Sequence, residues 1–159
     1  MCGIIGCFTN NSQADIKWIL KARDMMKYRG PDNGGYWENR NANVLLGHRR
    51  LSIIDLKVDS NQPMTINYNG SEYVITFNGE IYNFEILKNE LLKLGSTFKT
   101  GSDTEVLLMA YIYWGSKCLN KLEGMFSFTI YDPVEKILFF ARDIVGEKPF
   151  YYFQNNVIS

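Results

Sequence analysis

Several hallmarks of exported, membrane-spanning and nucleic-acid-binding proteins are missing from this sequence. No apolar run approaches the roughly 20 residues that a membrane-spanning helix needs. The N-terminus has no basic segment, and polar Thr9, Asn10 and Asn11 end its apolar stretch too early for a signal peptide. Basic and acidic residues balance at 17 each, so no excess of positive charge marks a surface for nucleic acid or an anionic membrane.

Cysteine is scarce as well, with 3 residues in the chain. This odd number and the lack of an export signal argue against a disulfide framework, and they favour a cytoplasmic protein. A metal site made of Cys2, Cys7, Cys118 and His48 would be the rival use of these side chains. Cys2 and Cys7 are spaced more widely than a usual zinc-binding pair, and Cys118 lies in an apolar segment typical of a core. We therefore predict that the chain has no metal site.

The first eight residues, MCGIIGCF, place a cysteine directly after the initiator methionine. If Met1 is removed, Cys2 carries both a thiol and a free α-amine, whose reference pKa of about 7.7–8.0 suits a base near working pH. The same stretch is also typical of a buried strand, in which Cys2 is only a small apolar residue. These eight residues by themselves favour the strand interpretation, because short motifs often occur by chance.

The length of 159 residues predicts one domain, spanning 1–159, and the apolar fraction of 46% is typical of a globular protein. Strands outnumber helices in the pattern along the chain. This favours antiparallel sheets covered by helices, an α+β class, over regular alternation of strand and helix.

Three helices are predicted. The first covers 14–28 and is ended by a loop over 29–35 that begins with Arg-Gly-Pro-Asp. Asn83 is predicted to cap the second helix, which Gly95 would terminate. Ser102 and Glu105 form the pattern of a capping box at the start of the third.

The strongest strand signal is a hairpin around Asn69-Gly70, a dipeptide that suits a type I′ turn. Its second strand is predicted to end where the chain turns polar at Asn78-Gly79-Glu80. The other predicted strands share alternating or continuous apolar residues. They cover 44–48, 126–130 and 137–141, and 49–54 is either another strand or the continuation of 44–48. A further segment over 150–153 is followed by a turn over 154–156 and a last strand beginning at 157.

Eight sequence blocks together resemble the class II glutamine amidotransferase domain, most closely the N-terminal glutaminase domain of glutamine-hydrolysing asparagine synthetases. They are MCGIIG, RGPD (29–32), GHRRLSIIDL (47–56), QPM (62–64), NGEIYN (78–83), GSDTEVLL (101–108), LEGMFSF (122–128) and ARDIVGEKPFYY (141–152). The resemblance implies an N-terminal-nucleophile hydrolase fold, a four-layer αββα sandwich of two antiparallel sheets. It also implies that the chain is C-terminally truncated, because the family domain continues for a few more elements.

The resemblance implies that Cys2 is the nucleophile and that its own α-amine is the base. Asn78 and Gly79 match the family's oxyanion hole, through the asparagine side-chain amide and the glycine N–H. The alternative for this pair is a turn that ends a strand. Asn69-Gly70, the second copy of the dipeptide, is interpreted as a turn only.

Three further residues are implied to hold the amino-acid end of glutamine. Arg50 matches the arginine that binds the α-carboxylate, and the neighbouring Arg49 points to the opposite face of a strand. Asp103 matches the carboxylate that receives the substrate ammonium, although an acid in the first turn of a helix is also favoured by the helix dipole. Glu80 is expected to contact the same ammonium. Arg29 and Asp32 are expected to shape the loop near Cys2.

The resemblance implies no cofactor for glutamine hydrolysis, whereas ATP and Mg²⁺ are expected for a synthetase domain that the chain does not contain. Glutamine is the expected substrate and a synthetase domain or subunit the expected partner. No nucleic acid or membrane is expected, and a homodimer is left open. Two alternatives to ammonia supply for aspartate amidation remain. The acceptor could be a sugar or a cell-surface polymer precursor, or the chain could be a non-catalytic module that folds on a partner.

Overall fold

Two antiparallel sheets lie face to face in the computed structural model, which describes residues 1–9, 15–52 and 57–154. The first sheet has the order β1-β3-β2, formed by β1 (Gly3–Phe8), β3 (Val44–Arg50) and β2 (Asn33–Asn39). The second sheet has the order β4-β5-β6-β7. Its strands are β4 (Met64–Tyr68), β5 (Ser71–Ile81), β6 (Gly124–Asp132) and β7 (Ile137–Arg142).

Helices cover the outer faces of both sheets. Helix α1 (Ile16–Met25) packs on β1 and β3 of the first sheet, and α3 (Asp103–Trp114) packs on β4 and β5 of the second. Helix α2 (Phe84–Lys93) lies against α3. The predicted αββα arrangement of two antiparallel sheets is therefore confirmed. No helix within the described ranges is long and apolar enough to cross a membrane.

The larger core lies between the second sheet and the two helices on its outer face. Alternate residues of β5 and β6 point into it, among them Ile75, Phe77, Phe128 and Ile130. The intervening residues point to the space between the sheets, where Val74 packs with residues of β3 and β6. Because β5 is covered on both faces, its apolar residues Val74 and Ile75 follow each other directly and do not alternate with polar ones.

The predicted hairpin is confirmed, with Asn69 and Gly70 at φ angles of 51° and 79°. Its second strand is longer than predicted, however. β5 continues through Asn78-Gly79-Glu80 to Ile81, paired throughout with β6. A Cβ on Gly79 would lie 2.1 Å from the Met125 carbonyl oxygen, so this glycine permits close approach to β6.

The predicted loop over 29–35 is too long, because β2 already begins at Asn33. Gly34 and Gly35 are part of this strand, paired with Arg49 and His48. A Cβ on Gly35 would lie 1.9 Å from the Gln62 carbonyl oxygen. Glycine here therefore permits close backbone packing in a strand.

Helix ends were predicted less accurately than the helices themselves. Helix α1 ends at Met25, before the predicted end at 28. Asn83 precedes α2, but its side chain bonds Lys121 O and Glu123 N instead of capping the helix. Ser102 caps α3 by accepting from Thr104 N, whereas Glu105 accepts from Lys99 N and Thr100 N. The reciprocal half of the capping box is therefore wrong.

Residues 150–153 contain no strand, although Phe150 stacks on Phe140 at 5.1 Å between ring centroids. β3 is one strand over Val44–Arg50, so up to residue 50 the second predicted segment is the continuation of the first. The predictions for 53–54 and for 155–159 lie outside the described residues.

Candidate active site

A cavity opens at one end of the space between the two sheets. It brings together all six residues to which the sequence assigned catalytic or substrate-binding roles. They are Cys2, Arg50, Asn78, Gly79, Glu80 and Asp103. Met1 also lines this cavity. Their roles in a reaction stay predictions.

Pairing of β1 with β3 sets the position of Cys2. Gly3 is opposite Arg49, so Cys2 lies just beyond the ladder, beside Arg50 and Leu51. The Leu51 N–H donates to the Cys2 sulfur at 3.4 Å, and Arg29 Nε donates to the Cys2 carbonyl at 3.2 Å. The cysteine is therefore anchored through both its side chain and its main chain.

Burial raises the pKa of the Cys2 thiol above its ordinary value of 9.0. The Leu51 N–H, the positive N-terminus and the Arg50 guanidinium act in the opposite direction, whereas the Asp103 carboxylate adds to the increase. A thiol with a raised pKa holds little thiolate near neutral pH, so attack by this sulfur needs a neighbouring base.

Arg49 and Arg50 point to opposite faces of β3, as the sequence predicted. Arg49 lies on the outer face, where Nε donates to Gly30 O and Nη1 is 3.6 Å from Asp24 Oδ1. Arg50 lies on the inner face and lines the cavity. Its Nη1 donates to Lys57 O at 3.0 Å and to Asn61 Oδ1 at 2.8 Å. Both arginines are buried, so neither is a solvated strand charge.

Asn78 projects from β5 into the space between the sheets, because it lies on the same face as Val74. It is buried and lines the cavity. The neighbouring Gly79 contributes main chain to the same wall. An amide side chain and a main-chain N–H are the donor types that oxyanion holes use.

Asp103 is the first residue of α3, and its Oδ2 accepts from the Ile81 N–H at 3.0 Å. Burial raises the pKa of this carboxyl from 3.8 to about 6, and the nearby Glu80 charge adds to the increase. Hydrogen bonds from Ile81 and Thr104 N–H oppose it. Burial raises the pKa of Asp103 more than these hydrogen bonds lower it, so an incoming cation would stabilise the charged form of this carboxyl.

The loop before β2 contacts Cys2 and Ser52 through Arg29 and Asp32, the two residues expected to shape it. Arg29 donates to the Cys2 carbonyl, and Asp32 Oδ2 accepts from Ser52 N at 2.7 Å. Neither Arg29 nor Asp32 lines the cavity.

The cavity wall contains further polar residues for which the sequence predicted no role. Gln62 belongs to the QPM block, and its Oε1 accepts from Phe77 N at 2.6 Å. Lys148 is buried in the cavity wall, with Nζ 3.6 Å from the Met1 sulfur. Both residues belong to the blocks that carry the resemblance, which was the signal available in the sequence. The remaining polar members are Ser60, Ser102 and Thr104.

The rival metal ligands are not gathered at this site. Cys118 is fully buried in the core beneath the helices, as predicted, and burial raises the pKa of its thiol to about 12. Among residues 1–9, 15–52 and 57–154, no group of three or more His, Cys, Asp or Glu side chains is arranged to hold a metal ion.

Comparison with known proteins gives the same family throughout. A family model described as a glutamine amidotransferase domain matches residues 1–158. The glutamine-hydrolyzing asparagine synthetases 3 and 1 of Bacillus subtilis (strain 168) are 41% and 43% identical to this chain. Each match covers 96% of the chain and 25% or 24% of the relative, so the chain spans about a quarter of the length of these relatives.

The fold also resembles a solved structure of glutamine phosphoribosylpyrophosphate amidotransferase from B. subtilis. The TM-score is 0.53 at 27% identity, over 64% of this chain and 23% of that one. The family match spans nearly the whole sequence, and it agrees with the two facing sheets and the cysteine at the cavity. This chain belongs to the glutamine amidotransferase domain family.

Proposed function

We propose that this chain hydrolyses the side-chain amide of glutamine and supplies the ammonia to an amidation reaction. The observation that carries the proposal is the single cavity that Cys2, Arg50, Asn78, Gly79 and Asp103 line together. It combines a nucleophile, oxyanion donors and two oppositely charged side chains. These are the groups needed to bind a zwitterionic amino acid and attack its amide.

Removal of Met1 would free the α-amine of Cys2, with its reference pKa of about 7.7–8.0. The amine takes the thiol proton as the sulfur attacks the amide carbon, and the carbonyl oxygen becomes an oxyanion facing Asn78 and Gly79. Collapse of this intermediate breaks the C–N bond, and the amine returns the proton to the departing ammonia. Water then attacks the thioester, which releases glutamate and restores the thiol.

Charge orients the substrate in this proposal. The planar Arg50 guanidinium is suited to both oxygens of the α-carboxylate. Asp103, with Glu80 beside it, would receive the α-ammonium, which offsets the cost of burying the Asp103 charge. No cofactor takes part in this hydrolysis.

We further propose aspartate as the final acceptor of the ammonia, because the matching relatives are named as asparagine synthetases. ATP and Mg²⁺ would then serve a synthetase domain or subunit, in the cytoplasm. A sugar or polymer-precursor acceptor is not favoured by these relatives. One domain over 1–159, C-terminal truncation and a homodimer stay predictions.

Release of glutamate from glutamine by the purified protein tests the proposal. Mass spectrometry of the same sample must show loss of Met1. Cys2→Ala should abolish glutamate release, whereas the control Cys7→Ala should retain it, because Cys7 lies on β1 outside the cavity. Activity in protein that keeps Met1, or in Cys2→Ala, would refute the mechanism. Folded, processed but inactive protein would favour the non-catalytic module.

A further inference from the structure

The edge of β5 changes its partners where it enters the cavity. β4 begins at Met64, opposite Ile75, so the pairing of these two strands stops there. β5 nevertheless runs on to Ile81. Main-chain groups of β5 on this edge therefore need other partners from Phe77 onward.

Gln62 supplies one replacement. Its Oε1 accepts from Phe77 N at 2.6 Å, and its Nε2 donates to Thr104 Oγ1 at 3.3 Å. The side chain is buried, so an apolar replacement would leave the Phe77 N–H without an acceptor away from water. Gln62 thus ties β5 to the first turn of α3, next to Asp103.

His48 supplies the other replacement, from the facing sheet. Its Nε2 lies 3.1 Å from Phe77 O, and because a carbonyl only accepts, Nε2 carries the proton. His48 is completely buried, and its Nδ1 has no hydrogen-bond partner among the described residues. Burial also lowers the pKa of the ring to about 4, which keeps it neutral above that pH. A buried Nδ1 without a hydrogen-bond partner costs free energy. A histidine at this position therefore indicates a specific role for the hydrogen bond that its Nε2 makes with Phe77 O.

The two contacts bear directly on Gly79. N–H groups two residues apart along a strand point to the same edge. Phe77 N–H points to Gln62 and Ile81 N–H points to Asp103, so the Gly79 N–H between them faces the same opening. The direction of this donor is consequently set by the residues that hold Phe77 and Ile81.

We propose that Gln62 and His48 are positioning residues. Their hydrogen bonds to the N–H and C=O of Phe77 fix this part of β5 and thereby orient the Gly79 N–H toward the oxyanion. The inference rests on the proposed glutaminase function and deepens it. Neither side chain needs to touch glutamine. Their loss should therefore weaken transition-state stabilisation and leave ground-state binding of glutamine nearly unchanged.

Two variants each remove one of these hydrogen bonds to Phe77. Gln62→Met removes the acceptor of the Phe77 N–H, and His48→Met removes the donor to the Phe77 carbonyl. Each should lower kcat about 10–100-fold, below the 10²–10³-fold effect of deleting an oxyanion donor outright, with KM within about twofold. His48→Gln retains an N–H donor and should recover most of the loss. Ile130→Val, in the core on the other face of the second sheet, is the control for destabilisation.

A substrate analogue with an aldehyde in place of the amide separates positioning from stability. The Cys2 sulfur adds to the aldehyde carbon and the thiol proton ends on the oxygen, which occupies the oxyanion position. Its Ki should rise in Gln62→Met and His48→Met by the same factor by which kcat/KM falls. The affinity for the product glutamate should not change.

The outcomes are distinct. An inactive wild-type protein would overturn the proposed function, and this inference with it. An active wild type with Gln62→Met and His48→Met matching Ile130→Val would overturn only the inference, as would a loss expressed in KM. If Gln62→Met does not fold, the comparison of His48→Met with His48→Gln decides the question.

Discussion

Asp103→Asn should change the free energy of unfolding in a pH-dependent way, with a more stabilising effect at alkaline pH than at acid pH. The carboxyl has its pKa raised from 3.8 to about 6, which corresponds to about 3 kcal/mol because one pKa unit is worth about 1.4 kcal/mol. An acid with a raised pKa binds more protons in the folded state. Its unfavourable contribution is therefore absent below about pH 4, grows between about pH 4 and 6, and is complete above that range.

The asparagine carries no charge at any of these pH values, but it replaces one acceptor oxygen by an NH₂ group. Ile81 and Thr104 N–H both donate to the present carboxylate, so losing one such bond should cost about 1–3 kcal/mol. Asp103→Asn should consequently be less stable than the wild type at pH 4 and equal or more stable at pH 8. The change in the stability difference between these two pH values is expected to approach 3 kcal/mol, as an upper estimate.

Urea unfolding of both proteins at intervals from pH 4 to 8, without glutamine, measures this difference. Other titrating groups are shared by the two proteins, and their contributions cancel. A stability difference that does not vary with pH would refute the reasoning, because Asp103 would then titrate equally in the folded and unfolded states. In the same variant kcat/KM for glutamine should fall about 100-fold or more, near 2.7 kcal/mol, through loss of the ammonium partner. Stability and activity would then move in opposite directions at pH 8.

Three further results are expected. In the wild type, protonation of the Cys2 α-amine gives kcat/KM for glutamine an acid limb, which should become steeper as the pH drops through about 6 because protonated Asp103 no longer attracts an ammonium; this steepening should be absent in Asp103→Asn, where only the limb of the amine remains. Arg50→Lys should raise KM at least about tenfold, because an ammonium cannot engage both carboxylate oxygens while bonding Lys57 O and Asn61, and an unchanged KM would contradict this. Gly79→Ala should lower the urea midpoint strongly, because its Cβ would meet Met125 O at 2.1 Å, and a wild-type midpoint would disprove the close approach.

The predictions from residue pattern that proved accurate depend on local features of the chain. The Asn69-Gly70 turn depends only on its own φ angles, and the opposite faces of Arg49 and Arg50 follow from strand geometry. The family resemblance supplied the six residues that line the cavity, which no periodicity could have assembled. Composition and pattern reached the α+β class, and the resemblance was needed for the sandwich.

Several of the wrong predictions share a cause, which is competition from partners outside the local motif: distant ones for Asn83 and β5, and the preceding loop for Glu105. Asn83 looks like a helix cap, but Lys121 and Glu123, about 40 residues away, occupy its side chain. Glu105 turns to Lys99 and Thr100 instead of completing the capping box. β5 passes through Asn78-Gly79-Glu80 because β6 pairs with it to the end. No local propensity reports these contacts.

The cavity follows from a change of polarity along two facing strands. On β3 the inward positions are apolar at Val44 and Leu46 and polar at His48 and Arg50. On β5 the inward face likewise changes, from Val74 to Asn78. The two sheets thus share a dry core at one end and enclose polar groups at the other. Since burying such groups costs free energy unless they are paired, their contacts with Phe77, Lys57 and Asn61 hold them in place. The same desolvation raises the pKa of Asp103, so a cation bound beside this carboxyl would stabilise its charged form.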